Sequence, residues 1–226
     1  MPVVLVFDTE TSGLPERNAS IMDVEKWPHI LQLSYILYNT ETKKLLELYD
    51  NLIKIPPSVI VTPGSEAIHH ISREMCLEKG VPLNEALNAF NNALDQADVI
   101  VGHNISFDKR LIMVECKRLR MLQRFTVNSA QKPEYCTMKH SVDICRIEAT
   151  SATGDKYYKY PKLSELHLHL FGEEAHGTHN ALADILICLR CYLKMVSDYD
   201  FVEDEDEDND ELYHQYNQFR TLLQKV

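Results

Sequence analysis

Four acids and one histidine in this 226-residue chain have the types and spacings to do chemistry. Asp8 and Glu10, separated by a single threonine, end the apolar run VVLVF. Asp108 follows VIVGHNISF, and Asp184 stands five residues after His179 in THNALAD. Side chains on a strand alternate faces, so Asp8 and Glu10 point the same way. Two carboxylates side by side at the end of a buried strand repel each other and resist losing water. Something must offset that cost, and carboxylate oxygens are hard donors of the kind that hold Mg²⁺ or Mn²⁺. Taken singly, Asp108 and Asp184 have a plainer reading as helix-start acids favoured by the macrodipole. The strand-end pair has no structural purpose of that kind.

Each of these residues needs an element to hold it. Five consecutive apolar residues, several β-branched, make Val3–Phe7 a buried strand. ILQLSYILYN (30–39) and KLLELYDNLIK (44–54) predict two more strands, joined by a short polar turn into an antiparallel hairpin with the first run as third member. Pro56, Pro57 and Pro63 mark a loop, and residues 65–97 have helical periodicity in two pieces broken by Gly80 and Pro82. DVIVGHN (98–104) predicts a further buried strand, with Ser106 capping an amphipathic helix from about Phe107 to Leu122. Residues 125–141 are irregular, SVDICRI (141–147) is expected as a short strand and 148–161 as a loop. Helices are expected over LSELHLHLF and from about Asn180 to Val196. Five helical steps turn about 500°, so on one regular helix His179 and Asp184 would diverge by roughly 140°. They share a site only if His179 lies in the preceding loop or at the cap. An antiparallel meander followed by strand–helix alternation implies an α/β fold, a mixed sheet with parallel strands flanked by helices.

The formal charge of −11 argues against a nucleic-acid partner until its distribution is examined. From Asp198 onward ten acids face only Arg220 and Lys225, a net −8, which leaves −3 for everything before. The acidity belongs to a tail, with EDEDEDNDE (203–211) expected as a solvated linker. Residues 1–197 are read as one domain and 198–226 as linker plus amphipathic helix. Leu212, Tyr216, Phe219 and Leu223 give that helix an apolar face, which either docks on its own domain or takes a protein partner through 212–225. Six cysteines without metal-finger spacing read as reduced thiols. With neither a signal-peptide layout nor a membrane-length apolar run, an intracellular, reducing compartment is expected, cytoplasmic or nuclear.

VFDTETSGL, GHNISFD and HNALAD, in that order, resemble the three motifs of the DEDDh exonucleases, and EAIHHIS (66–72) resembles the stretch that family carries before its second motif. The resemblance spans about residues 3–196 and implies a ribonuclease-H-like fold. It implies a metal-dependent 3′–5′ exonuclease that acts on single-stranded ends and releases nucleoside 5′-monophosphates, with DNA proofreading or repair as the first expectation. RNA or oligonucleotide trimming is the alternative, as is a catalytically silent binding module. It also implies residue roles. Asp8 bridges two ions, Glu10 and Asp184 hold the ion of the attacking water, Asp108 holds the other, and His179 is the general base. The main chain near Thr9 meets the terminal 3′-hydroxyl, Leu14 and Phe107 press on the last bases, and His103 and Asn104 shape the second motif. For His103, internal support of its loop is the competing role. His70 departs from the family pattern, standing where glycine is usual.

The stretch GDKYYKYPK interleaves Lys156, Lys159 and Lys162 with Tyr157, Tyr158 and Tyr160, the mixture that a single-strand groove uses, although exposed tyrosine-rich loops are common. His167, His169, His176 and His179 invite a zinc reading. The first two are two residues apart, facing different sides of a helix, and no Cys/His spacing of a structural site accompanies them. Zinc is not expected.

Overall fold

The computed structural model describes residues 2–127, 129–203 and 210–222. The strands in chain order are β1 (Val3–Thr11), β2 (Ile30–Asn39), β3 (Lys44–Lys54), β4 (Val81–Pro82), β5 (Val99–Gly102), β6 (Thr126–Val127), β7 (Ala130–Gln131), β8 (Glu134–Cys136), β9 (Glu148–Thr150) and β10 (Lys156–Tyr158). The first four helices are α1 (Pro63–His69), α2 (Arg73–Lys79), α3 (Leu83–Gln96) and α4 (Ser106–Arg118). They are followed by α5 (Thr137–His140), α6 (Val142–Cys145), α7 (Leu163–Phe171), α8 (Ala181–Ser197) and α9 (Asp210–Leu222).

Six strands form one sheet in the order β4-β3-β2-β1-β5-β8. The β3-β2-β1 part is the expected antiparallel meander, while β5 and β8 run parallel to β1. Because β1 is central, both of its faces are covered, which is why its sequence is continuously apolar rather than alternating. Leu5 and Phe7 pack with Leu33, Tyr35 and Phe90 on the layer of α3 and α4. Val4 and Val6 pack with Ile36, Tyr38, Leu166 and Ile185 on the layer of α7 and α8. This division decides which helix each residue beyond Phe7 will meet.

Several boundaries differ from the sequence expectation. The segment 63–96 holds three helices, because His70 ends α1 in a left-handed conformation (φ 59°) that glycine favours. Val81–Pro82, read as a break, adds a short parallel strand to β3. The helix α4 stops at Arg118 rather than near Leu122, and Ser106 lies inside its first turn rather than at the cap. SVDICRI is not a strand: Cys145 and Arg146 donate backbone hydrogen bonds to Ser141 and Val142, closing the turn α6, and Arg146 ends it at φ 46°. So short an apolar alternation fits one helical turn as well as a strand. The sheet edge goes to Glu134–Cys136, and the expected loop 148–161 contains the hairpin β9-β10.

The described part of the C-terminal helix packs on its own domain. Leu212 and Tyr216 are buried in the cluster that contains Leu166, Leu189 and Phe201. The side chain of Phe219, Leu223 and most of the acidic stretch lie outside the described residues. All six cysteines are free thiols. Among the described residues no helix is long and apolar enough to cross a membrane.

Candidate active site

The alternation along β1 carries past Phe7 and sorts the site residues. Asp8 and Glu10 continue the even-numbered face, opposite Ser34 and Gln32 of β2, and look toward α8. There they meet Asp184, in the first turn of α8, and carboxylate oxygens of the three residues lie within 4.8 Å of one another. The helix N-terminus contributes a partial positive charge to this acidic cluster.

Two residues position that end of α8. Asn180 caps it, accepting from the backbone N–H groups of Leu182 and Ala183. Gln32 accepts from the Ala181 N–H (3.3 Å) and donates to Asp50 (2.7 Å), tying the helix start to the sheet. Sequence reasoning did not single out Gln32, although QLS places two polar residues at the even positions of an otherwise apolar strand. His179 stands outside the helix at φ 73°, and its backbone N–H donates to Asp184 Oδ2 at 3.0 Å. The left-handed turn removes the 140° divergence that a continuous helix would impose. His179 and Asp184 thereby share one cleft.

Asp108 arrives from the opposite layer. Thr9 lies on the odd-numbered face of β1, and its hydroxyl donates to Asp108 Oδ1 at 2.6 Å. Asp108, buried in the first turn of α4, has a pKa pushed up to about 7 by burial, against the hydrogen bonds from Thr9. Burial raises Asp184 to about 7 and, with Asp184 and Asp108 nearby, Glu10 to about 8. Asp8 is raised well above its ordinary value, first by burial and then by Asp108, Asp184 and Glu10. Without a cation the four carboxylates resist ionising together. An all-oxygen set of this density fits a hard divalent ion in the Mg²⁺ or Mn²⁺ class.

Two clefts flank the carboxylates. One, of about 520 Å³, is bounded by Asp8, Asp184, His179, His103, Tyr160 and Lys162. The other, of about 550 Å³, is bounded by Glu10, Thr11, Leu14, Ile68, His69 and Phe107. Leu14 is 83% exposed, an apolar side chain held in solvent beside the acids. His69, another residue not singled out, is buried; its ring bonds the Thr11 carbonyl (3.1 Å) and accepts from the Ile71 N–H (3.0 Å), fixing the end of β1.

His103 has both ring nitrogens engaged, with the Thr137 hydroxyl and the Pro161 carbonyl, each at 3.0 Å. It supports the segment that bears Tyr160 and Lys162, while Asn104 makes the left-handed turn (φ 65°) into α4. Of the lysine–tyrosine stretch, Lys159 is paired with Glu165 and Lys156 with Glu148. Tyr160 and Lys162 reach the lining of the carboxylate cleft, with Pro161 between them. His167 is buried in a hydrogen-bonded network with Arg190 and Tyr216.

No curated protein matches the sequence significantly. Among solved structures, Escherichia coli exonuclease I in complex with a dT13 oligonucleotide superposes with a TM-score of 0.64 at 16% identity, covering 86% of this chain and 41% of that one. The zinc-bound form of the E. coli exonuclease I–ssDNA complex gives 0.62 at 16%, over 100% and 46%. An exonuclease I from Methylocaldum szegediense gives 0.59 at 18%, over 87% and 41%. The chain spans under half the length of these proteins, and at such identity the likeness establishes a shared fold. The family model for Exonuclease, of the RNase T type, matches residues 5–192, a span that holds all four acids and His179: the chain belongs to the exonuclease family.

Proposed function

We propose that this chain is a metal-dependent 3′–5′ exonuclease that hydrolyses the terminal phosphodiester of single-stranded DNA. The observation that carries the reading is the convergence of Asp8, Glu10 and Asp184 within 4.8 Å, with Asp108 held beside them and His179 in the lining of the same cleft. The solved structures of the same fold hold single-stranded oligonucleotides.

Asp8, Glu10, Asp184 and Asp108 would hold two ions of the Mg²⁺ or Mn²⁺ class. Bound there, such ions supply charge neutralisation at the reacting phosphate and a lowered pKa for water. The chain's own residues do the rest. His179 takes the proton from the attacking water as its oxygen bonds to phosphorus and the bond to the preceding 3′-oxygen breaks. Leu14, Ile68 and Phe107 line the cleft on the Glu10 side, suited to the terminal nucleoside, with the main chain near Thr9 beside its 3′-hydroxyl. On the Asp8 side, Tyr160 offers a ring 59% exposed and Lys162 an ammonium, suited to a base and a phosphate. His103 supports that wall, and Asn104 shapes the turn into α4.

Residues 1–197 carry the chemistry in this reading. Leu212 and Tyr216, the described part of the apolar face of α9, are buried inside the domain, which favours an internal role for the helix over a protein partner. RNA ends are the second reading, favoured by the ribonuclease name of the family model.

The test uses matched 5′-labelled single-stranded DNA and RNA with Mg²⁺, with Mn²⁺ and with chelator, beside Asp8→Ala. A metal-dependent ladder shortening from the 3′ end, faster on DNA and absent in the variant, is expected. Faster digestion of RNA selects the second reading, and no digestion of either sinks both.

A further inference from the structure

We propose that α9 holds the loop bearing His179 in its working position, with Tyr216 as the positioning residue that makes the connection. The proposal rests on the assignment of His179 as general base. The observation behind it is a closed ring of hydrogen bonds joining α7, α8, α9 and the start of that loop.

Arg190 of α8 is 4% exposed. Its Nε and one terminal nitrogen grip both oxygens of Asp200, at 2.9 and 2.7 Å. The other terminal nitrogen donates to the Glu173 carboxylate and to the Tyr216 hydroxyl oxygen (2.7 Å). His167 of α7 stands between them, Nδ1 3.0 Å from the Glu173 carbonyl and Nε2 2.7 Å from the Tyr216 hydroxyl. A carbonyl only accepts, so the His167 proton sits on Nδ1 and Nε2 accepts, from Tyr216 and from Arg190 at 3.1 Å. The donors run from Arg190 to Tyr216, from Tyr216 to His167, and from His167 to the main chain of Glu173. Arg190 closes the ring on the Glu173 side chain.

Glu173 opens the segment that ends at His179. His167 holds its carbonyl and Arg190 its carboxylate, and both of these groups bond the Tyr216 hydroxyl. Further along, His176 lines a small cavity with Ala183, Leu186, Ile187 and Tyr216. At its far end the segment is held by the His179 N–H bond to Asp184. The backbone is left-handed at Gly172 just before the first anchor, at Gly177 between the two and at His179 itself, with φ between 71° and 73°. Such a path depends on its anchors, and a displacement of about 1 Å at a general base costs on the order of a hundredfold in rate.

Tyr216→Phe tests this in the full-length chain, because the ring that packs edge-on against Phe201 (5.8 Å) stays and only the hydroxyl is lost. Turnover of a 5′-labelled oligonucleotide is measured well below the melting temperature, together with amide hydrogen exchange. Tyr213→Phe, on the exposed side of α9, is the control. The expected result is a kcat lowered about fivefold or more with KM within about twofold, and faster exchange confined to 173–180. The control matches wild type. A purely structural role for Tyr216 would lower the melting temperature and leave kcat of the folded enzyme alone. Unchanged kcat in an otherwise active enzyme overturns the proposal. Should the wild type digest neither DNA nor RNA, the catalytic reading fails by itself and exchange decides: acceleration confined to 173–180 supports the anchoring, and an unchanged pattern overturns it.

Discussion

The Thr9 hydroxyl and the Asp108 carboxylate, 99 residues apart in sequence, meet at 2.6 Å. The contact follows from period two. Asp8 and Glu10 face α8, so the residue between them must face α4, where Asp108 waits in the first turn. One threonine therefore links the fourth acid to the strand that carries the first two.

Replacing Thr9 by Val keeps the shape and removes the donor. A hydrogen bond to a charged group contributes about 1.5–3 kcal/mol, so Asp108 should hold its proton more tightly and bind a cation less well. The Mn²⁺ concentration for half-maximal activity should rise by about tenfold, read from a metal titration of the initial rate. An unchanged titration would show that the hydroxyl does not tune the site.

The pH dependence of stability has a definite sign. Glu10 moves from 4.5 to about 8 and Asp108 and Asp184 from 3.8 to about 7 on folding without metal. Between those limits the native state binds more protons than the unfolded chain, so these groups lower stability as pH rises, and below them their contribution vanishes. Asp8→Ala relieves the repulsion. In chelator, its melting temperature should exceed that of wild type by a few degrees near pH 8, with the gap closing toward pH 4. A variant that melts well below wild type near pH 8 contradicts this account of the strand end.

Ligand and base are separable by their effects. His179→Ala should lower kcat by about 10²–10⁴ and leave metal-induced thermal stabilisation in place. Asp184→Asn should lose both, since its carboxylate is part of the oxygen cluster. Melting curves with and without millimolar Mn²⁺, run beside the nuclease assay, separate the two. Loss of the metal shift in His179→Ala would make the histidine a ligand.

The Asp8-side wall predicts binding defects. Tyr160→Ala should weaken oligonucleotide binding by about 1–3 kcal/mol, the range for one stacked base. Lys162→Ala should raise KM several-fold and flatten its salt dependence, because one phosphate contact is lost. Lys156→Ala, already paired with Glu148 outside the cleft, should do neither.

The local pattern was enough to place β2 and β3 with their boundaries and the start of β1, which runs four residues past Phe7 to Thr11, because apolar runs rich in β-branched and aromatic residues between turn signals favour strands. Short segments were not legible in that way. SVDICRI carries too few residues to distinguish a strand from one turn of helix, and the sheet edge next to β5 went to Glu134–Cys136. The extra helix boundary at His70 depended on a left-handed residue that no glycine announced.

The residue types of the site were determined by the chain itself: the paired acids of β1, the later acids and the histidine are all present at spacings their elements can use. Which groups meet was decided only by tertiary structure. Periodicity states that Asp8 and Glu10 share a face, but not that Asp184 closes on them or that Thr9 reaches Asp108. Nor does it state that Tyr160 and Lys162 line the cleft, or that Gln32 seats the start of α8. Those contacts arise because helices from distant parts of the chain pack on opposite faces of one strand, and sequence periodicity carries the face of a residue but not the identity of what covers it.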